Sequence, residues 1–121
     1  MDDGWQLGAV EAIDMAVLDT LMTDLDDVDG SMRHSLIDSY LADGEDFVDR
    51  LVAAALTGDR ATTASIAHAL RSSSALLGAL PLASLLERLE EAGRQSMCDL
   101  HPLALLAKTE YGRVSQSLSA V

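Results

Sequence analysis

The 121-residue chain contains little of several residue types, and each shortage excludes a class of protein. Cys98 is the only cysteine, which rules out an intrachain disulfide and a metal cluster held by thiolates. Only four residues are aromatic, whereas leucine and alanine are abundant and favour helix over strand. No apolar run approaches the roughly 18 residues of a membrane span, and the first residues do not resemble a signal peptide. We therefore expect one all-α domain in the cytoplasm.

Basic residues are scarce in the first half of the chain. Residues 1–58 contain 14 Asp or Glu against two Arg, whereas residues 59–121 contain six acidic and six basic residues. The first half therefore carries the whole formal net charge of −12. An acidic surface repels phosphate backbones and anionic lipids, so we expect no nucleic-acid partner and no direct membrane contact.

The densest acidic run, residues 24–30, resembles part of a calcium-binding loop. If Gly30 occupies position six of such a loop, Leu25 falls at position one and Leu36 at position twelve. Leucine cannot supply either ligand, so the loop fails at both ends. We expect a solvated turn instead, with Ser31 as the cap of the following helix.

Apolar residues recur at helical spacing in five segments. The first is short, about residues 14–25, and is expected to lie across the others as a lid. The second contains Gly44, where a bend is conceivable because glycine costs about 1 kcal/mol in a helix. The four longer segments begin after Ser31, at Asp59, at Pro81, and after Asp99 and Pro102. Four long amphipathic helices with short connections predict an antiparallel up-down four-helix bundle with a short additional N-terminal helix.

We expect a single domain over residues 9–121, preceded by an N-terminal linker or cloning remnant over residues 1–8. Within the fourth helix the leucines form the buried stripe. The charged residues of that helix are expected to face water: Glu87, Arg88, Glu90, Glu91 and Arg94.

The third helix places one histidine, His68, on its outer face. At about 100° per residue, His68 lies about 160° around the helix from Leu70, which belongs to the buried stripe. Exposed helix faces usually carry long charged side chains, but apart from Arg71 the neighbours of His68 are small. This bare surface indicates that a partner protein approaches closely. The predicted docking residues are Ala61, Ala64, Ser72 and Ala75.

At these residues the chain resembles the histidine-containing phosphotransfer (HPt) domains of phosphorelays. Their signature reads roughly Ala-His-x-Leu-Lys-Gly-Ser-Ser-x-x-Leu-Gly-Ala, followed by a leucine-rich helix that ends in Leu-Glu. The chain departs from it twice, with Arg71 in place of lysine and Ser72 in place of glycine. The resemblance is close over the third and fourth helices and looser over the rest. The matching residues are Ala67, His68, Leu70, Ser73, Ser74, Leu77, Gly78, Ala79, Leu82, Leu85, Leu89 and Glu90.

The resemblance implies that His68 accepts a phosphoryl group from the phospho-aspartate of a receiver domain and passes it to another receiver domain. Histidine is largely neutral at pH 7, so a ring nitrogen can attack without an added base. Arg71, one turn further along the helix, would stabilise the phosphoryl charge. The receiver would bring the Mg²⁺, and the chain would need no cofactor of its own. Such a protein is a phosphoryl carrier rather than a stand-alone enzyme, either free or part of a hybrid sensor kinase.

Two other functions are weighed against this interpretation. An HPt-like module could bind receiver domains or kinases without carrying phosphate, and Ser72 makes that alternative conceivable. A carboxylate-rich metal-binding bundle is disfavoured because the chain lacks Glu-x-x-His pairs. No nucleophile elbow surrounds the serines at 72–74, so packing and contact roles are expected for them. His34 and His101 have no second ligand one turn away and are expected to be surface residues.

Overall fold

The computed structural model describes residues 11–95 and 99–120, and all regular structure within them is helical. The predicted linker, residues 1–8, and Cys98 lie outside the described residues. No helix in the described ranges is both long enough and apolar enough to cross a bilayer. The five helices are α1 (Met15–Asp24), α2 (Ser31–Leu56), α3 (Arg60–Leu76), α4 (Leu80–Arg94) and α5 (His101–Ser119).

The four long helices, α2 to α5, form the bundle. Helices α2 and α4 each pack against both α3 and α5, so every long helix has two neighbours. Three-residue turns, 57–59 and 77–79, connect α2 to α3 and α3 to α4, and such short connections make neighbouring helices antiparallel. The predicted four-helix bundle with an additional N-terminal helix is confirmed. Its centre is filled by fully buried leucines and valines: Leu18, Leu51, Leu70, Leu82, Leu86, Leu89, Leu118, Val48 and Val114.

Helix α1 packs beside α3 and the turn that follows it. The Asp14 side chain caps α1 by accepting a hydrogen bond from the Ala16 amide at 3.0 Å. The Asp14 amide donates to the Gly78 carbonyl at 2.8 Å, and Leu18 and Met22 bury the inner face of the helix. The predicted short helix that packs on the core is therefore confirmed. One backbone hydrogen bond attaches the start of the lid to the α3–α4 turn.

The acidic run before α2 caps that helix with two carboxylates. Asp27 accepts from the amides of Met32 and Arg33 at 3.1 and 3.0 Å. Asp29 accepts from the Ser31 amide at 3.0 Å, and Gly30 occupies the N-cap position with φ +80°. The predicted Ser31 cap is wrong, because the two aspartates before the helix reach forward to its first amides and Ser31 is its first helical residue. The prediction of a turn in place of a calcium loop agrees with this arrangement.

Helix α2 continues without a break through Gly44. A Cβ atom at this position would lie 2.5 Å from the Tyr111 hydroxyl oxygen and 2.6 Å from the ring carbon Cε1. Tyr111 is buried, and its ring also packs against Tyr40 with centroids 5.9 Å apart. Gly44 is therefore needed so that the α5 tyrosine can lie against the α2 backbone.

The boundaries of α3 agree with the prediction, and α4 begins one residue early. The Asp59 side chain caps α3 by accepting from the Thr62 amide at 3.1 Å. Gly78 follows α3 with φ +86°, the left-handed conformation expected after a helix end. Helix α4 begins at Leu80 rather than Pro81, so the proline lies within its first turn. The end of α3 and the start of α4 define the helical hairpin that carries the candidate site.

Candidate functional site

His68 projects from the middle of α3 with 54% of its side chain exposed. Its chain neighbour Ala67 is fully buried, as is Leu70 on the stripe that faces the core. The outward placement predicted for His68 is confirmed. The ring does not stand free, however, because it leans toward α4.

A buried glutamate on α4, Glu90, binds the histidine ring. The Glu90 carboxylate oxygen Oε2 lies 2.9 Å from His68 Nδ1. Only 6% of the Glu90 side chain is exposed. The prediction that Glu90 faces water is therefore wrong: the carboxylate is turned inward between α3 and α4.

The same carboxylate also binds two arginines. Arg71 donates through Nε to Oε1 at 3.1 Å, and Arg94 donates through Nη2 to Oε2 at 2.6 Å. Arg71 is one turn from His68 on α3, and Arg94 is one turn from Glu90 on α4. One carboxylate thus holds an imidazole and two guanidinium groups at the mouth of the α3–α4 interface. With a neutral imidazole the cluster carries one net positive charge, a suitable environment for an anionic group.

The contacts decide which nitrogen of His68 carries the proton. An ionised carboxylate only accepts hydrogen bonds, so Nδ1 must donate to Glu90. Arg71 Nη2 lies 3.3 Å from the same Nδ1, but guanidinium nitrogens also only donate, so this longer approach is not a second hydrogen bond. In a neutral ring with the proton on Nδ1, Nε2 holds the free lone pair.

The electrostatics keep the buried carboxylate ionised. Burial by itself raises the pKa of Glu90. The hydrogen bond from His68, the charges of Arg94 and His68, and the hydrogen bond from Arg71 outweigh this effect and bring the pKa below its ordinary value. Glu90 is therefore an anion at neutral pH.

Sequence reasoning missed the roles of Glu90 and Arg94, although two signals pointed to Glu90. It follows Leu82 and Leu86 at intervals of four, and both leucines are fully buried, so it lies on the inner stripe of α4. It also falls at the Leu-Glu that ends the leucine-rich helix of the signature. Arg94 gave no comparable signal, because an exposed arginine in the last turn of a helix is common.

Three of the four predicted docking residues are exposed: Ala61, Ser72 and Ala75. Ala64 is only 6% exposed, so its predicted place on the outer surface is wrong. The reason is Gly93 on α4, where an added Cβ would lie 3.2 Å from the Ala64 Cβ. Because Gly93 has no side chain, the α4 backbone packs directly over Ala64.

The three consecutive serines after Arg71 make hydrogen bonds within the fold. Ser72 donates to the His68 carbonyl at 3.2 Å, and Ser73 donates to the Leu70 carbonyl at 3.1 Å. The buried Ser74 hydroxyl pairs with the Tyr40 hydroxyl at 2.7 Å. The Ser72 side chain is thus folded back on its own helix, which reduces its projection toward a partner.

A shallow groove runs between α2 and α3, next to Ala69, the residue that follows His68. Leu36 and Phe47 line it from α2, and Ala69 and Leu76 line it from α3. Leu76, the last residue of α3, is 50% exposed. The exposed face of α3 therefore combines small residues, the histidine and one large apolar side chain.

Among the described residues there is no group of three or more His, Cys, Asp or Glu side chains placed to hold a metal ion. His34 is exposed and pairs with Asp38 at 3.1 Å. His101 begins α5 and is partly exposed. Within the described ranges, His68 is the histidine that combines exposure with a buried carboxylate partner.

Comparison with known proteins gives two matches. The family model described as "Hpt domain" matches residues 35–118. The crystal structure of histidine-containing phosphotransfer protein B (HptB) from Pseudomonas aeruginosa PAO1 is similar with a TM-score of 0.79 and 25% sequence identity. The match covers 90% of this chain and 92% of that one. No curated protein sequence matches the chain at a significant level.

Proposed function

Because this chain belongs to the Hpt domain family and acts in histidine phosphotransfer within two-component phosphorelays, we propose that His68 is its phosphoacceptor. The observation that carries the proposal is the exposed imidazole whose Nδ1 is bound by the buried Glu90, which directs Nε2 outward. His68 also occupies the histidine position of the family signature. Attack at Nε2 requires no base from this chain, since that nitrogen already holds a lone pair.

The phosphoryl donor is the phospho-aspartate of a receiver domain, and a second receiver takes the group onward. The receiver brings the Mg²⁺ that neutralises charge during transfer, and this chain supplies a positioned nucleophile and positive charge. Arg71 is the first source of that charge. Its Nε binds Glu90, so its terminal nitrogens are the groups that stabilise the phosphoryl oxygens.

The receiver docks on the exposed α3 face around His68. Ala61, Ser72 and Ala75 are exposed and small enough to permit close approach, and Leu76 offers apolar contact beside the α2–α3 groove. This role places the domain in the cytoplasm, either as a free protein or as the cytoplasmic part of a membrane-bound hybrid kinase. Both arrangements use the same docking face.

Label transfer from a phosphorylated receiver domain tests the acceptor. We expect acid-labile, alkali-stable label on the wild type and none on His68→Gln. The matched control is His34→Gln, which removes an exposed α2 histidine and should leave transfer unchanged. Label on the His68→Gln variant would refute the assignment. Measurable receiver binding with no label on the wild type would favour the docking module that carries no phosphate.

A bulky substitution tests the docking face. Ala75→Arg should slow transfer because the side chain would stand where the receiver approaches. Ala42→Arg is the control, since Ala42 is an exposed alanine of α2 that does not line the groove. Equal transfer rates for the two variants would contradict docking at this face.

A further inference from the structure

The exposed serine one turn after His68, Ser72, holds its hydroxyl in a weak hydrogen bond. Ser72 Oγ donates to the His68 carbonyl at 3.2 Å, whereas hydroxyl donors usually approach to about 2.7 to 2.8 Å. The same kind of bond from Ser119 to the carbonyl four residues before it measures 2.8 Å. Within α3 the His68 carbonyl already accepts from the Ser72 amide, by the ordinary helical pattern. Little free energy is therefore lost when the hydroxyl turns to another acceptor.

Seen along the axis of α3, Ser72 and Arg71 lie on opposite sides of His68. At about 100° per residue, Arg71 is displaced by about 60° to one side of His68 and Ser72 by about 40° to the other. Arg71 turns toward α4, where its Nε binds Glu90. Ser72 therefore occupies the flank of the histidine that faces away from α4.

The Ser72 side chain also leans toward the histidine. Side chains of a helix point back toward its N-terminus and cover the preceding turn. The contact between Ser72 Oγ and the His68 carbonyl shows that the hydroxyl lies at the level of that turn. Ser65, an exposed serine one turn before His68, leans away from it by the same rule. A phosphoryl group on the outward Nε2 would thus have a guanidinium on one flank and the Ser72 hydroxyl on the other.

We propose, on the basis of the phosphoacceptor role of His68, that Ser72 is a phosphoryl-binding residue: once His68 is phosphorylated, the hydroxyl leaves the His68 carbonyl and donates to a phosphoryl oxygen on the flank opposite Arg71. The exchange forms and breaks no covalent bond and needs only a rotation of the Ser72 side chain between staggered rotamers. A hydrogen bond to an anionic oxygen is roughly twice as strong as one to a neutral carbonyl. The exchange therefore lowers the free energy of the phosphorylated chain and draws the transfer equilibrium toward it.

The transfer equilibrium separates phosphoryl binding from docking. A side chain that only touches the receiver changes the transfer rate in both directions and leaves the final ratio of phosphorylated chain to phosphorylated receiver unchanged. Ser72→Ala should shift this ratio toward the receiver by about three- to tenfold, the range for the loss of one net hydrogen bond. Ser72→Thr retains a hydroxyl and should keep the ratio close to that of the wild type. The distribution of label between the two purified proteins at equilibrium gives the ratio.

Two other serines provide matched controls. Ser119→Ala removes the same kind of hydroxyl-to-carbonyl bond from α5, which lies diagonally across the bundle from α3. Ser65→Ala removes an exposed hydroxyl at the same helical distance from His68 on its other side. Both variants should keep the wild-type ratio, and circular dichroism shows whether each variant is folded. A shift in Ser65→Ala without one in Ser72→Ala would overturn the proposal.

The phosphorylated chain can also be studied without a receiver. Phosphoramidate, a small phosphoryl donor, serves to load His68 directly. A hydrogen-bond donor beside the phosphoryl oxygens favours their more highly charged form. We therefore expect Ser72→Ala to raise the pKa of the phosphoryl group in a ³¹P NMR titration and Ser119→Ala to leave that pKa unchanged. The same pKa in Ser72→Ala and the wild type would refute the contact.

The outcomes separate this inference from the proposed function. If wild type and Ser72→Ala reach the same ratio with the receiver, the phosphoacceptor assignment stands and the role of Ser72 is refuted. If the receiver labels neither protein but the phosphoryl pKa of the loaded chain depends on Ser72, the hydroxyl contact stands and the relay assignment fails. If Ser72→Ala changes the transfer rates yet keeps both the ratio and the pKa, Ser72 acts in docking alone and the inference is overturned.

Discussion

Two glycines with the same backbone conformation allow the docking of α1 to be measured. Gly58 and Gly78 each follow a helix end with positive φ, +78° and +86°. A Cβ at Gly58 would meet nothing within 4 Å, whereas a Cβ at Gly78 would collide with the Asp14 carbonyl oxygen and lie 3.2 Å from the Val17 Cβ. Replacing each glycine with alanine therefore separates the conformational cost from the steric cost.

The magnitudes follow from these surroundings. Gly58→Ala should cost about 1 to 2 kcal/mol, the penalty for an ordinary residue in the left-handed region. Gly78→Ala should have the same conformational cost and a further overpacking cost of about 1 to 3 kcal/mol. The atom nearest to the added Cβ is the Asp14 carbonyl oxygen, which belongs to the backbone and cannot move aside as the end of a side chain can. If the turn shifts to relieve the collision, it also strains the hydrogen bond from the Asp14 amide to the Gly78 carbonyl.

Urea unfolding followed by circular dichroism gives the free energy of unfolding for both variants and the wild type. We expect Gly78→Ala to be the less stable of the two by at least about 1 kcal/mol, within the overpacking range. Equal losses for the two variants would refute the argument that α1 is seated against this turn. Faster amide hydrogen exchange confined to α1 in Gly78→Ala would identify the lid as the part that loosens.

The other predictions concern the bundle core and the buried carboxylate. Gly44→Ala should destabilise the protein by about 1 to 2 kcal/mol net, since the collision with Tyr111 exceeds the gain in helix propensity. Gly112→Ala, where a Cβ would meet nothing within 4 Å, should instead stabilise the protein by up to about 1 kcal/mol. Thermal melts of both variants measure the two effects, and a change of the same sign in both would contradict the packing argument. Because the folded-state pKa of Glu90 is lowered, its ionised form contributes stability that is present above the ordinary glutamate pKa of about 4.3 and lost as pH falls through the folded value. The stability difference between wild type and Glu90→Gln should therefore shrink from pH 7 to pH 3 in urea titrations; a difference independent of pH would show that the carboxylate charge does not stabilise the fold.

The features predicted well from sequence depend on short stretches of chain. The Asp59 cap and the left-handed Gly78 are local signals, so the limits of α3 were predictable from a few neighbouring residues. The outward placement of His68 needed only the helical period. The Ser31 cap was predicted wrongly because the capping carboxylates, on Asp27 and Asp29, come from earlier in the turn and reach forward.

The features that were missed depend on packing between helices. The burial of Ala64 is caused by the absence of a side chain at Gly93 on another helix. Glu90 was predicted to face water because its side chain is charged. Its buried carboxylate is satisfied by three hydrogen-bond donors, two of which lie on α3. The need for glycine at position 44 has its cause in Tyr111 on α5. In each case the deciding partner is distant in sequence and close in space.

The three-residue turn between α3 and α4 has a consequence for folding kinetics. His68 and Arg71 on α3 and Glu90 and Arg94 on α4 all belong to one helical hairpin, and His68 is only 22 positions before Glu90. Contacts of such short sequence separation form quickly, because little loop-closure entropy is lost. We therefore expect this cluster to assemble with the hairpin itself, ahead of the pairing of α2 with α5, which brings together two helices that are far apart in the chain. His68 and Glu90 would then share a folding nucleus, while α1 is added to a hairpin already formed.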